Sequence, residues 1–160
     1  MEWLTLAGFA MAVIAAGSTG AMFPPGDWYT RIEKPTWTPP DWLFPLAWTV
    51  LYAAIVYAAW RVSDALPAQI AAAGLAFWAA QIALNALWSP VFFGLHQPGA
   101  ALIVLVGLWI AVAACVVLFL AIDTVAGLLM VPYLIWVSFA GALNYWIWRR
   151  NPSTLSGRTA

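Results

Sequence analysis

Charge is the scarcest property of this chain. Six Lys or Arg and six Asp or Glu are spread over 160 residues, 8% of the total, and the net charge is zero. A soluble domain carries about a quarter of its residues charged. So little polar surface cannot face water, which leaves lipid as the solvent. Six scattered cations also exclude nucleic-acid binding, which needs a basic patch opposite the phosphates. Cys115 is alone and inside an apolar run, excluding a disulfide framework and a thiolate cluster. His96 is the single histidine, so no metal centre and no cofactor are expected. No nucleophile stands beside a histidine, no carboxylate pair lies at membrane depth, and there is no phosphate-binding loop. An ion-coupled pump would want an intramembrane carboxylate, and the apolar runs hold none.

Apolar length, by contrast, is abundant: hydrophobic residues make up 65% of the chain. A helix crosses the hydrocarbon of a bilayer in about 20 residues. Five segments qualify, over residues 3–23, 42–60, 70–94, 99–122 and 125–148. In lipid every backbone polar group must be satisfied within the segment, so all five are helices. The expected fold is an all-α integral membrane protein, one domain of five transmembrane helices. The first span has Glu2 rather than basic residues before it and runs past signal-peptide length, and is expected to be retained. Pro98 suits the first position of span four, and Asp123 and Thr124 can cap span five.

Twelve tryptophans are the other excess. Indole has an apolar body and one N–H, and it collects where a span meets the headgroups. Trp3, Trp28, Trp37, Trp42, Trp60, Trp146 and Trp148 fit such a belt. Trp48, Trp78, Trp88, Trp109 and Trp136 lie deeper, where anchoring explains less and an aromatic cavity is an alternative. Orientation follows from cations in short loops. Loop 1–2 and the C-terminus share one side and hold Arg31, Lys34, Arg149, Arg150 and Arg158, against Arg61 alone on the other. In an inner membrane this places the N-terminus outside and the C-terminus in the cytoplasm.

Loop 1–2, residues 24–41, is long and rich in proline and aromatics. It reads either as a rigid connector with interfacial anchors or as a lid over a cavity. Gln81, Asn85 and Trp88 are spaced four and three apart, on one face of span three. Their amides either bond a neighbouring helix or form the polar edge of a pocket. Span five repeats the pattern with Trp136, Ser138, Ala140 and Asn144, after Pro132, which can kink the helix. Small residues at Gly8, Ala12, Ala16 and Gly20 in span one, and at Ala72, Ala76, Ala79, Ala83 and Ala86 in span three, permit close helix approach. The expected assembly is a homodimer through span three, with the span-one stripe packing inside the protomer. Leu143, Tyr145 and Arg149 match a proposed sterol motif, which a snorkelling arginine beside an interfacial tyrosine explains equally well.

Four segments together resemble one family, the tryptophan-rich sensory proteins and their mitochondrial relatives, the translocator proteins or peripheral benzodiazepine receptors. They are KPTWTPP at 34–40, WLFPLAWTVLY at 42–52, QIALNALWSPVFFG at 81–94, and the run from Val131 to Asn144 containing PYLIW. The resemblance implies a five-helix bundle, commonly a homodimer, with a cavity capped by the first loop. It implies binding of porphyrins (protoporphyrin IX and haem-type tetrapyrroles), of sterols and of isoquinoline carboxamides. Carried onto this sequence, the ligand site comprises Trp37, Pro40, Phe44, Trp48, Tyr52, Asn85, Trp88, Trp136, Ala140 and Asn144. Thr38 replaces a second tryptophan found in other members, which implies weaker stacking from the loop. Size and alanine richness look bacterial. The expected function is a membrane receptor or sensor with a regulatory or transport role. The alternative is an enzyme degrading protoporphyrin IX in light, with Trp48 and Trp136 as its catalytic residues.

Overall fold

The computed structural model describes residues 2–152. Six α-helices follow one another: α1 (Glu2–Met22), a short α2 (Asp27–Arg31), α3 (Leu43–Val62), α4 (Ala68–Ser89), α5 (Pro98–Leu120) and α6 (Thr124–Arg150). All but α2 are long and apolar enough to cross a membrane. The expected spans therefore appear within a few residues of their ends. Arg158, counted in the orientation argument, lies outside the described residues.

Two boundaries carry local chemistry. Pro90 has no N–H to continue the ladder of α4, and the chain relaxes there into a π-helical turn (Pro90–Gly94) closed by Leu95 N–H donating to the Pro90 carbonyl at 2.8 Å. At the start of α6, Asp123 accepts from the backbone N–H of Ala126 at 2.9 Å, the N-cap expected of it. The same carboxylate takes the Arg61 guanidinium at 2.7 Å. This pair, lying outside the apolar segments, pulls the Asp123 carboxyl below the usual carboxylate range, chiefly through the Arg61 hydrogen bond. It also ties the end of α3 to the α5–α6 turn.

The five long helices close a ring in the order α1, α3, α6, α5, α4. Helix α5 packs most extensively, against both α4 and α6, whereas α3 and α4 barely touch. Around the Arg61 end the ring is solid. Ala58 and Ala59 are fully buried, and the Trp78 N–H reaches the Ile55 carbonyl at 3.1 Å. A Cβ on Gly74 would stand 2.8 Å from the Phe119 ring, so glycine is what lets α4 and α5 meet there. Tyr133, Met130, Val112 and Cys115 complete this core. Towards the opposite end the ring is hollow.

Candidate ligand cavity

The hollow is a cavity of about 640 Å³, within the range of sites for drug-sized ligands. It takes the second half of α1, the first half of α3, the end of α4 with the π turn, the middle of α5 and the second half of α6. Gly17 admits the Tyr52 ring beside α1: a Cβ there would lie 2.9 Å from Tyr52 Cε2.

Eight of the ten expected ligand residues line this cavity: Phe44, Trp48, Tyr52, Asn85, Trp88, Trp136, Ala140 and Asn144. Trp48 is the centre of an aromatic wall. Its ring centroid is 5.0 Å from Tyr52 and 6.3 Å from Trp136, the latter edge-to-face, and Phe44 meets Trp136 at 5.8 Å. Trp88 stacks on Phe92 of the π turn at 4.9 Å and donates its N–H to Asn144 Oδ1 at 3.1 Å. Asn144 in turn donates to the Pro98 carbonyl at 2.6 Å.

The amides of α4 answer both readings given to them. Tyr52 donates to Asn85 Oδ1 at 3.0 Å, Asn85 donates to the Tyr133 hydroxyl at 2.9 Å, and Tyr133 donates to Gln81 Oε1 at 2.9 Å. This chain links α3, α4 and α6 through the bilayer interior. Its first two members border the cavity, while Tyr133 and Gln81 lie behind them, fully buried. Asn85 is therefore at once an interhelical bridge and a cavity edge. Ser138 departs from the expected face, since it is exposed and accepts from Trp109 on the outside of α5 at 2.8 Å.

Two expected residues stand apart from the cavity. Trp37 packs on Phe139 at 5.5 Å and is 45% exposed, and Pro40 is exposed beside it. The next residue, Asp41, lines the cavity in their place, together with Pro25 and Tyr29 from the same loop. The loop is fastened there. Asn151 clamps Glu33 by accepting from its N–H at 2.9 Å and donating to its carbonyl at 3.1 Å. Ile32 is buried against Phe92, Ala101, Leu143 and Ile147. Trp28, expected in the interfacial belt, instead stacks on His96 at 4.6 Å, with its N–H buried and unpartnered among the described residues. Burial, and then the charge of Asp41, push the Tyr29 phenol above its ordinary pKa. Sequence reasoning missed Asp41, Tyr29, Phe92 and Phe93; the aromatic density of the loop and of the segment after Pro90 was the available signal.

The three residues of the sterol motif divide between two faces. Leu143 is buried and lines the cavity, while Tyr145 and Arg149 are exposed on the outside of α6. Of the small-residue stripes, Ala72, Ala76, Ala79 and Ala83 are exposed on α4, whereas the α1 stripe divides: Ala12 and Ala16 turn into the protomer, while Gly8 and Gly20 are exposed, against the expectation that the whole stripe packs inside.

The same geometry has a sequence family behind it. The TspO/MBR family model matches residues 8–149. The chain belongs to the TspO/MBR family. It is 53% identical to "Protein CrtK" of Rhodobacter capsulatus over 95% of this chain and 96% of that one. It is 46% identical to the "Tryptophan-rich sensory protein" of Cereibacter sphaeroides over 94% of each. With the human "Translocator protein" it shares 35% identity over 98% of this chain and 95% of that one. This TspO/MBR protein is thus a multi-pass integral membrane protein, and its cavity lies within the region its relatives share.

Proposed function

We propose that this protein is a membrane receptor for flat hydrophobic ligands, porphyrins foremost, with sterols and isoquinoline carboxamides as further ligands. The observation that carries the reading is the cavity itself: aromatic walls from Phe44, Trp48, Trp88 and Trp136 with a fixed polar edge at Tyr52 and Asn85. Such a site takes up a planar apolar body and orients it through a few polar contacts. The relatives' names, sensory protein and translocator protein, point to the same class. Loop 1–2 acts as the lid, held by Asn151 and by the Trp28–His96 stack. The lid and C-terminus face the cytoplasm if the protein resides in an inner membrane. A second copy docks through the exposed alanine face of α4, and sterols also meet Tyr145 and Arg149 on the outside of α6. Titrating purified protein with protoporphyrin IX and following tryptophan quenching tests the reading: saturable quenching is expected, and its absence overturns it.

The edge-to-face contact of Trp48 and Trp136 at the cavity wall favours one second reading, light-driven degradation of the bound porphyrin. Illuminating the complex separates the two. Loss of pigment that Trp136→Phe abolishes supports the enzyme, and binding with the pigment intact supports the receptor.

A further inference from the structure

The exposed residues among those lining the cavity, Gly20, Ala21, Pro25, Asp41 and Pro45, gather at the loop end and mark it as the mouth. A flat amphiphile entering it would bury its apolar body and keep any ionised substituent at this mouth, because a charge taken from water without a partner is costly. Whatever charge the mouth carries therefore acts on that substituent.

Among the described residues, Asp41 is the only charged one lining the cavity. Among the described residues its carboxylate has neither a hydrogen bond nor a salt bridge; the ion pair of Arg61 and Asp123 is at the other end of the bundle. Of the loop cations, Lys34 Nζ donates to the Tyr29 carbonyl at 2.6 Å and stands 4.7 Å from that ring's centroid, and Arg31 Nε donates to the Asp27 carbonyl at 3.2 Å; neither lines the cavity. The field of Asp41 also reaches the cavity wall, where it acts on the Tyr29 phenol. Apolar walls on either side focus such a field rather than screen it.

We propose that Asp41 is a charge filter at the mouth of the cavity, selecting flat ligands whose outer edge is neutral or cationic over those that carry ionised carboxylates there. The inference rests on the receptor reading above and deepens it by naming the ligand class. It separates two molecules of the same ring system, protoporphyrin IX with two carboxylates and its dimethyl ester with none.

Both pigments would be titrated into the wild-type protein, Asp41→Asn and Asp41→Lys in an uncharged detergent. The exposed, unbonded side chain makes both variants benign to folding. Asp41→Asn should tighten the free acid roughly three- to tenfold and leave the ester within about twofold, the scale of unit charges several ångströms apart in the water-like dielectric of an exposed mouth. Asp41→Lys should tighten the acid further. Added salt should shrink the difference between wild type and Asp41→Asn for the acid alone. Equal affinities for the acid across all three proteins while the ester binds would overturn the filter and leave the receptor standing. Failure of the acid to bind any of the three overturns the receptor reading as well, whether or not the ester binds.

Discussion

The indole N–H of Trp88 and the side-chain oxygen of Asn144 meet at 3.1 Å, joining α4 to α6 at the edge of the cavity. That bond holds the Trp88 ring flat against Phe92, so one polar contact sets the shape of an aromatic wall. Asn144→Leu removes the acceptor and strands the N–H. An orphaned donor of this kind costs about 1–3 kcal/mol. We expect a lower thermal midpoint in detergent together with weaker porphyrin binding. An unchanged midpoint would mean that packing alone positions the ring.

Asn85 bridges Tyr52 and Tyr133, and its replacement tests the polar edge. Interhelical hydrogen bonds in membranes average about 0.6 kcal/mol, so Asn85→Leu should leave the bundle folded. Binding of protoporphyrin or an isoquinoline carboxamide should weaken, read by tryptophan quenching. Unchanged affinity in a folded variant would assign the amide to the bundle alone.

Ala140 borders the cavity between Trp136 and Asn144, one helical turn from each. Ala140→Thr adds volume and a hydroxyl that can bond back to the Trp136 carbonyl. Overpacking costs about 1–3 kcal/mol, which reduces binding roughly five- to a hundredfold if it falls on the bound state. Parallel titrations of the two proteins are the check, and equal dissociation constants would remove this face of α6 from the site.

Asp123 caps α6 and holds Arg61, and its carboxyl is lowered in the folded state. A lowered carboxyl stabilises the fold above its unfolded pKa of about 3.9 and loses that contribution as pH falls through the folded value. Removing such a cap costs about 0.5–2 kcal/mol. Asp123→Ala should therefore melt earlier than wild type at pH 7, and the two midpoints should converge below about pH 4. A gap that persists in acid would show that the charge is not its source.

The exposed alanines of α4 are the proposed dimer face. Ala76→Phe combined with Ala83→Phe should give monomers in detergent that still bind porphyrin, measured by light scattering. Dimers that survive this change but dissociate with Ala12→Phe and Ala16→Phe would exchange the roles of the two helices.

The spans were legible because hydrocarbon imposes one rule, that a crossing segment be long, uncharged and helical. Eight of the ten expected ligand residues line the cavity, a set supplied by the family resemblance; helical spacing by itself put only Asn85 with Trp88, and Trp136 with Ala140 and Asn144, on common faces. Inside the loop no periodicity operates. Nothing in KPTWTPP says that Trp37 packs outward on Phe139 while Asp41 turns to the cavity.

By itself, then, the sequence determined the solvent, the number of membrane spans and the faces that carry polar groups, because those follow from local composition and the geometry of one helix. Only the tertiary structure decided where the bundle is hollow. Ala58, Ala59 and Gly74 draw the helices together at one end. At the other, the large side chains of Trp48, Tyr52 and Trp88 line the space that the ring encloses. The balance between small and large side chains on facing helices depends on which helices face one another, and the ring order α1, α3, α6, α5, α4 is a property of no single segment.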